Sequence, residues 1–104
     1  AMQDIYTFVG GQGEMVPDRV LKVVVGESVG SITVHDFGWK CRNITHLDIK
    51  SKSITIQTDA FSDHNLKEIT FQENCNLNIE EKAFIDCKYS SVMKWPTVVH
   101  WIVD

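Results

Sequence analysis

Three short runs place apolar residues at the same offsets: Val20, Val23 and Val25; Ile44, Leu47 and Ile49; Leu66, Ile69 and Phe71. The offsets are zero, three and five, and the starts lie 24 and then 22 residues apart. A weaker fourth run begins 24 residues later, with Ser90 at the first offset and Met93 and Trp95 at the others. Each run has a second match behind it. Ile32, Ile56 and Ile102 follow the last apolar residue of their runs by seven positions, and Ile79 follows by eight. Five residues beyond the first, second and third of these runs' isoleucines stand Phe37, Phe61 and Phe84. Self-similarity at a fixed period is the signature of stacked coils. The pair at offsets three and five is strand-like, because alternate residues of a strand share one face. The later isoleucine and phenylalanine supply the opposite wall of the coil interior. One coil cannot bury its apolar side alone; about three or more must stack. Four coils meet that requirement.

The totals fit one small domain. The chain has 104 residues, 43% of them hydrophobic and 23% charged, which argues against disorder. A formal charge of −4 gives no general attraction to nucleic acid. No apolar run reaches the roughly 20 residues of a membrane-spanning helix, so membrane insertion is not expected. Cys41, Cys75 and Cys87 form no C-x-x-C pair, which disfavours both a zinc site and a disulfide scaffold. Asn43-Ile44-Thr45 is a glycosylation sequon, a triplet that also arises often by chance.

The segment Ile79-x-x-x-Ala83-Phe84-x-x-Cys87, followed by Met93-x-Trp95-Pro96-x-x-Val99-x-x-Ile102, resembles the BspA-like (Treponema-type) leucine-rich repeats. The resemblance covers roughly residues 20 to 102. Leu66-x-x-Ile69-x-Phe71-x-x-Asn74 is also similar to the irregular repeats of animal extracellular leucine-rich proteins. Departures are visible: Ser28, Lys52 and Val98 replace the ladder asparagine, and Pro96 alone occupies the proline position. Cys41 sits one residue late, and His64 stands where the second coil would carry cysteine. The resemblance implies an α/β-type repeat solenoid of about four short coils, with a concave parallel β-sheet and irregular or short helical convex turns. It further implies adhesion or protein recognition, at the cell surface or outside the cell.

The ends lie outside this frame. Ala1-Met2 reads as a cloning remnant, residues 3–19 as an N-terminal cap, and residues 20–104 as the solenoid. Ile5–Val9 alternates weakly, as one strand would, and Gly10-Gly11-Gln12-Gly13 is turn-forming sequence. A disordered tail is the alternative for this segment. At the other end, Val98–Val103 is apolar and would leave a sheet edge uncovered. Either two copies associate there or the native protein continues.

No catalytic constellation emerges, so the expected protein is not an enzyme and needs no cofactor. His46, Asp48 and Glu68 should meet on adjacent coils stacked about 4.8 Å apart, but a solvated polar face explains them better than a metal site. Cys41 and Cys87 suit apolar filling better than nucleophilic chemistry. Trp95 falls at a core offset, whereas Trp39 lies on a convex turn where exposure is expected. The residues between the inward ones form an outward strip: Lys22, His46, Asp48, Lys50, Glu68, Thr70, Gln72 and Lys94. Its mixed charge suits a protein partner better than a phosphate backbone. This strip is the expected binding surface, with self-assembly through the apolar C-terminal edge as the rival reading.

Overall fold

The computed structural model describes residues 4–37, 40–87 and 95–102. Its strands are β1 (Ile5–Phe8), β2 (Lys22–Val25), β3 (Ser31–Ile32), β4 (His46–Ile49), β5 (Ser53–Ile56), β6 (Glu68–Phe71), β7 (Asn76–Glu80) and β8 (Val99–Ile102). They form two parallel sheets, ordered β1-β2-β4-β6 and β3-β5-β7-β8. Successive strands from β2 to β7 alternate between the two sheets, and β1 adds to the first alone. Three coils contribute both strands, and β8 adds one from a fourth.

The offset frame becomes register in the first sheet. Val23, Leu47 and Ile69 are paired, as are Val25, Ile49 and Phe71. All of these except Phe71 are fully buried, while the residues between them face outward. Val20, Ile44 and Leu66, at the first offset, are buried as well.

Of the irregular or short helical turns expected behind this sheet, the helical ones are corrected: among the described residues there is no helix, and a second sheet stands there. Local sequence explains the difference. Ile54 and Ile56 alternate with Ser53 and Thr55, and Leu77 and Ile79 alternate with Asn76 and Asn78. That two-residue period buries one face and exposes the other. The turns that follow also avoid helix: the amides of Ala60, Ser62 and His64 bond back only three residues, to Gln57, Asp59 and Phe61, while the alternate amides bond to the next coil. Asp59 N–H donates to the Lys82 carbonyl (3.1 Å), Phe61 N–H to Ala83 (2.9 Å) and Asp63 N–H to Ile85 (3.0 Å). Asp59, Asp63, Lys82 and Asp86 all have positive φ, which interrupts any helical run.

The phenylalanines stack in one column. Phe37 and Phe61 have ring centroids 5.6 Å apart with planes at 18°, and Phe61 and Phe84 are 5.6 Å apart at 13°. Phe8 extends the column at one end, 4.9 Å from Phe37. Trp95 meets Phe84 edge-on at 6.3 Å at the other. Trp95 also stacks on Phe71 at 5.5 Å and is half-buried, as its offset implies. Trp39 lies outside the described residues.

One register expectation fails. Ile79 pairs with Trp101, not with Ile102, and Ile102 lies beside Glu80. The extra residue of the third coil, eight positions from Phe71 to Ile79, belongs to that coil alone. In the fourth, only six positions separate Trp95 from Trp101. The slip turns Trp101 toward Trp95, with centroids 5.5 Å apart, and leaves Ile102 41% exposed.

At the opposite end, the strand expected within Ile5–Val9 is β1, which adds to the edge of β2. The following turn has Gly10 and Gly13 at positive φ, which glycine adopts without steric cost. Glu14 closes it. Its carboxylate accepts from the Tyr6 hydroxyl (2.8 Å) and from the amides of Val9 (3.1 Å) and Gly11 (2.9 Å). Burial acts to raise this carboxyl, but the bonds from Tyr6, Val9, Gly11 and Gly10 together outweigh it and hold it below its ordinary value.

Candidate functional site

The outward positions of the first sheet come together as rows across the coils. Lys22, His46 and Glu68 share one row; Val24, Asp48 and Thr70 share the next. Lys50 and Gln72 sit just past the ends of β4 and β6. Lys94 lies outside the described residues. Seven of the eight residues of the expected strip can therefore be placed.

These side chains engage one another. Asp48 Oδ2 is 3.2 Å from Lys50 Nζ, and its Oδ1 accepts from the Thr70 hydroxyl at 2.8 Å. His46 Nε2 is 3.7 Å from Glu68 Oε2, while His46 Nδ1 lies 2.8 Å from Thr45 Oγ1. At such exposed positions each ion pair contributes only about 0–1 kcal/mol. Their effect is to fix geometry. Both Asp48 oxygens are engaged, one by Lys50 and the other by Thr70. No group of three or more His, Cys, Asp or Glu able to hold a metal ion is found among the described residues.

Sequence reasoning missed a cleft beside this face. It has a volume of about 730 Å³ and opens where the chain turns from the first sheet to the second. Lys50 and Lys52 belong to its lining, with Glu27 on one side and Glu73 and Asn74 on the other. The outer face of the second sheet is different again. Ser31, Ser53, Thr55, Asn76 and Asn78 are uncharged and make no side-chain hydrogen bond among the described residues. No spacing motif marks either feature, because their members are a whole coil apart in sequence.

The cysteines are all unpaired; Cys41 and Cys75 are buried and Cys87 is half-buried. Burial raises all three thiols, the direction opposite to a reactive thiolate. The Cys41 thiol points at the Val16 carbonyl, 3.6 Å away, and so packs against the segment that precedes β2. His64, in the second coil's cysteine position, is equally buried and lies edge-on to Phe61 at 5.4 Å.

Comparison with known proteins bears on what such a surface does. The family model for the BspA type leucine rich repeat region matches residues 20–102 in six copies. No curated protein and no solved structure matches the chain.

Proposed function

Because the chain belongs to the BspA-type leucine-rich-repeat family, whose repeats generally mediate protein–protein interaction, we propose that it is a non-catalytic module that binds a protein partner through the outer face of its first sheet. Lys22, His46, Asp48, Lys50, Glu68, Thr70, Gln72 and Lys94 form the contact strip. One observation carries the reading: parallel register gathers acidic, basic and neutral polar side chains of three coils into rows on one face, Lys22, His46 and Glu68 in one and Asp48 and Thr70 in the next. A face of mixed charge selects a complementary protein surface over a uniformly charged one. The family leans toward extracellular or surface locations, where the role is adhesion or recognition.

The test is affinity after charge reversal. A partner captured on the immobilised protein is identified, purified and titrated by calorimetry against wild type and the double variant Asp48→Lys/Glu68→Lys. Circular dichroism checks that the variant folds. The expected loss is at least about tenfold, roughly 1.4 kcal/mol. Unchanged affinity in a folded variant excludes the strip.

A second reading, self-association through β8, has its own observation. Val98 is 56% exposed and Trp101 is 60% exposed at the last strand of the second sheet.

A further inference from the structure

The corner between the two sheets differs from coil to coil. In the first coil residues 26–30 separate β2 from β3, in the third residues 72–75 separate β6 from β7, but in the second only residues 50–52 separate β4 from β5. The outer two corners are β-turns, closed by Val29 N–H donating to the Gly26 carbonyl (3.1 Å) and Cys75 N–H to the Gln72 carbonyl (3.0 Å). The middle corner is drawn inward instead. Ser51 is fully buried, and its hydroxyl donates to the Gly26 carbonyl at 3.1 Å. A tight corner between two projecting turns leaves a trough, and that trough is the 730 Å³ cleft.

Its charges have an order. Glu27 lies on the first wall, Lys52 on the floor and Glu73 on the second wall. All three are exposed, and none makes an ion pair among the described residues. Lys50, the other floor lysine, is held by Asp48. Along the stacking axis the unengaged charges therefore read negative, positive, negative. Neighbouring coils are about 4.8 Å apart, so the two carboxylate walls belong to coils separated by about 9.6 Å.

We propose that this cleft receives an extended peptide segment of a protein partner, one whose side chains on one face read basic, acidic, basic. A cleft this open and this charged does not suit the mostly apolar small ligands that fill pockets of roughly 300–1,000 Å³. An extended chain repeats its same-face side chains about every 6.6 Å, and long lysine or arginine and glutamate side chains absorb the difference from the coil spacing. The Gln72 and Asn74 amides, on the same wall as Glu73, supply donors and acceptors for the peptide backbone. Contacts of this kind are screened by salt, so binding weakens as ionic strength rises. The proposal rests on the module being a protein binder; the cleft shares Lys50 and Gln72 with the charged strip, but Glu27, Lys52 and Glu73, on which the charge order depends, lie outside the strip.

Two capped peptides test it, one basic–Gly–acidic–Gly–basic and one with each charge reversed. Both are titrated into the whole 104-residue chain, labelled with nitrogen-15 and followed by NMR. The first peptide is expected to shift the amides of residues 27–28, 52 and 73–74 to saturation, and the reversed peptide to leave them in place. The triple variant Glu27→Lys/Lys52→Glu/Glu73→Lys should exchange these preferences, which also shows that the variant is folded. Glu68→Lys, a change in the strip outside the cleft, should leave the titration intact. The cleft reading is overturned if both peptides bind alike, if neither shifts those amides, if the triple variant keeps the original preference, or if Glu68→Lys abolishes the shifts.

Discussion

His64 shows how a single residue can set a condition on the whole stack. It is 1% exposed, and its Nδ1 lies 3.0 Å from the Ser62 carbonyl. That contact places the proton on Nδ1 and leaves Nε2 as a buried acceptor, which has no hydrogen-bond partner among the described residues. Burial lowers its pKa first, and the nearby Arg42 charge acts in the same direction. The neutral ring is therefore the folded form. An unfolded histidine protonates near pH 6.5, so the stability linked to His64 is complete above that value. It is lost as pH falls below 6.5 toward the lower folded-state value. Urea denaturation at pH 7.5 and pH 5.5 should show a larger loss for wild type than for His64→Cys. The steepest possible slope from one such group is about 1.4 kcal/mol per pH unit. Equal losses in the two proteins would show that protonation of His64 does not couple to folding. The position was legible in the sequence as a cysteine slot filled by histidine. The bare Nε2 was not, since hydrogen-bond geometry at one ring has no spacing signature.

At the scale of elements, the aromatic column is what unites the coils. Phe61 is fully buried between Phe37 and Phe84, whereas Phe84 is half-buried and meets Trp95 edge-on. Phe61→Ala should accordingly cost about 3–5 kcal/mol, and Phe84→Ala less, because the end of a column can collapse or hydrate more easily than its middle. Denaturant unfolding of both variants checks the order; a larger cost at Phe84 would contradict it. This column was readable from the sequence, as were the paired strands of the first sheet, because a fixed period converts directly into register. The second sheet was harder to see. Its strands alternate Ile54 and Ile56 with Ser53 and Thr55, a pattern only four residues long and bounded by no glycine or proline. Family resemblance, which implied irregular or helical turns, pulled the reading the other way. The slip at β8 sets Trp101, which stays 60% exposed, opposite Ile79, a pairing that a seven-residue count alone misses. The charged cleft was invisible for a different reason. It depends on the middle corner having three residues where its neighbours have five and four, and strand ends are the least legible feature of any sequence.

For the whole molecule, the two ends of the stack are unequal. The first is covered: β1 extends the first sheet, Phe8 is 2% exposed against the aromatic column, and Glu14 ties the following turn shut. At the other end β8 is the last strand of the second sheet, paired on one side with β7. Val98, Trp101 and Ile102 are exposed there, and Ile85 lies on the neighbouring turn, 38% exposed. Among the described residues no strand pairs with the other side of β8, and a strand edge beside apolar side chains is a template for another strand. A two-fold axis across β8 would pair it antiparallel with its own copy and bury both sets of apolar residues at once. Sedimentation velocity over a wide concentration range should therefore show wild type moving from monomer toward dimer. Trp101→Lys, which puts a charge in the middle of that surface, should remain monomeric. A sedimentation coefficient independent of concentration in wild type would remove self-association from the functions open to this module, and the protein-binding faces would then have to account for it alone.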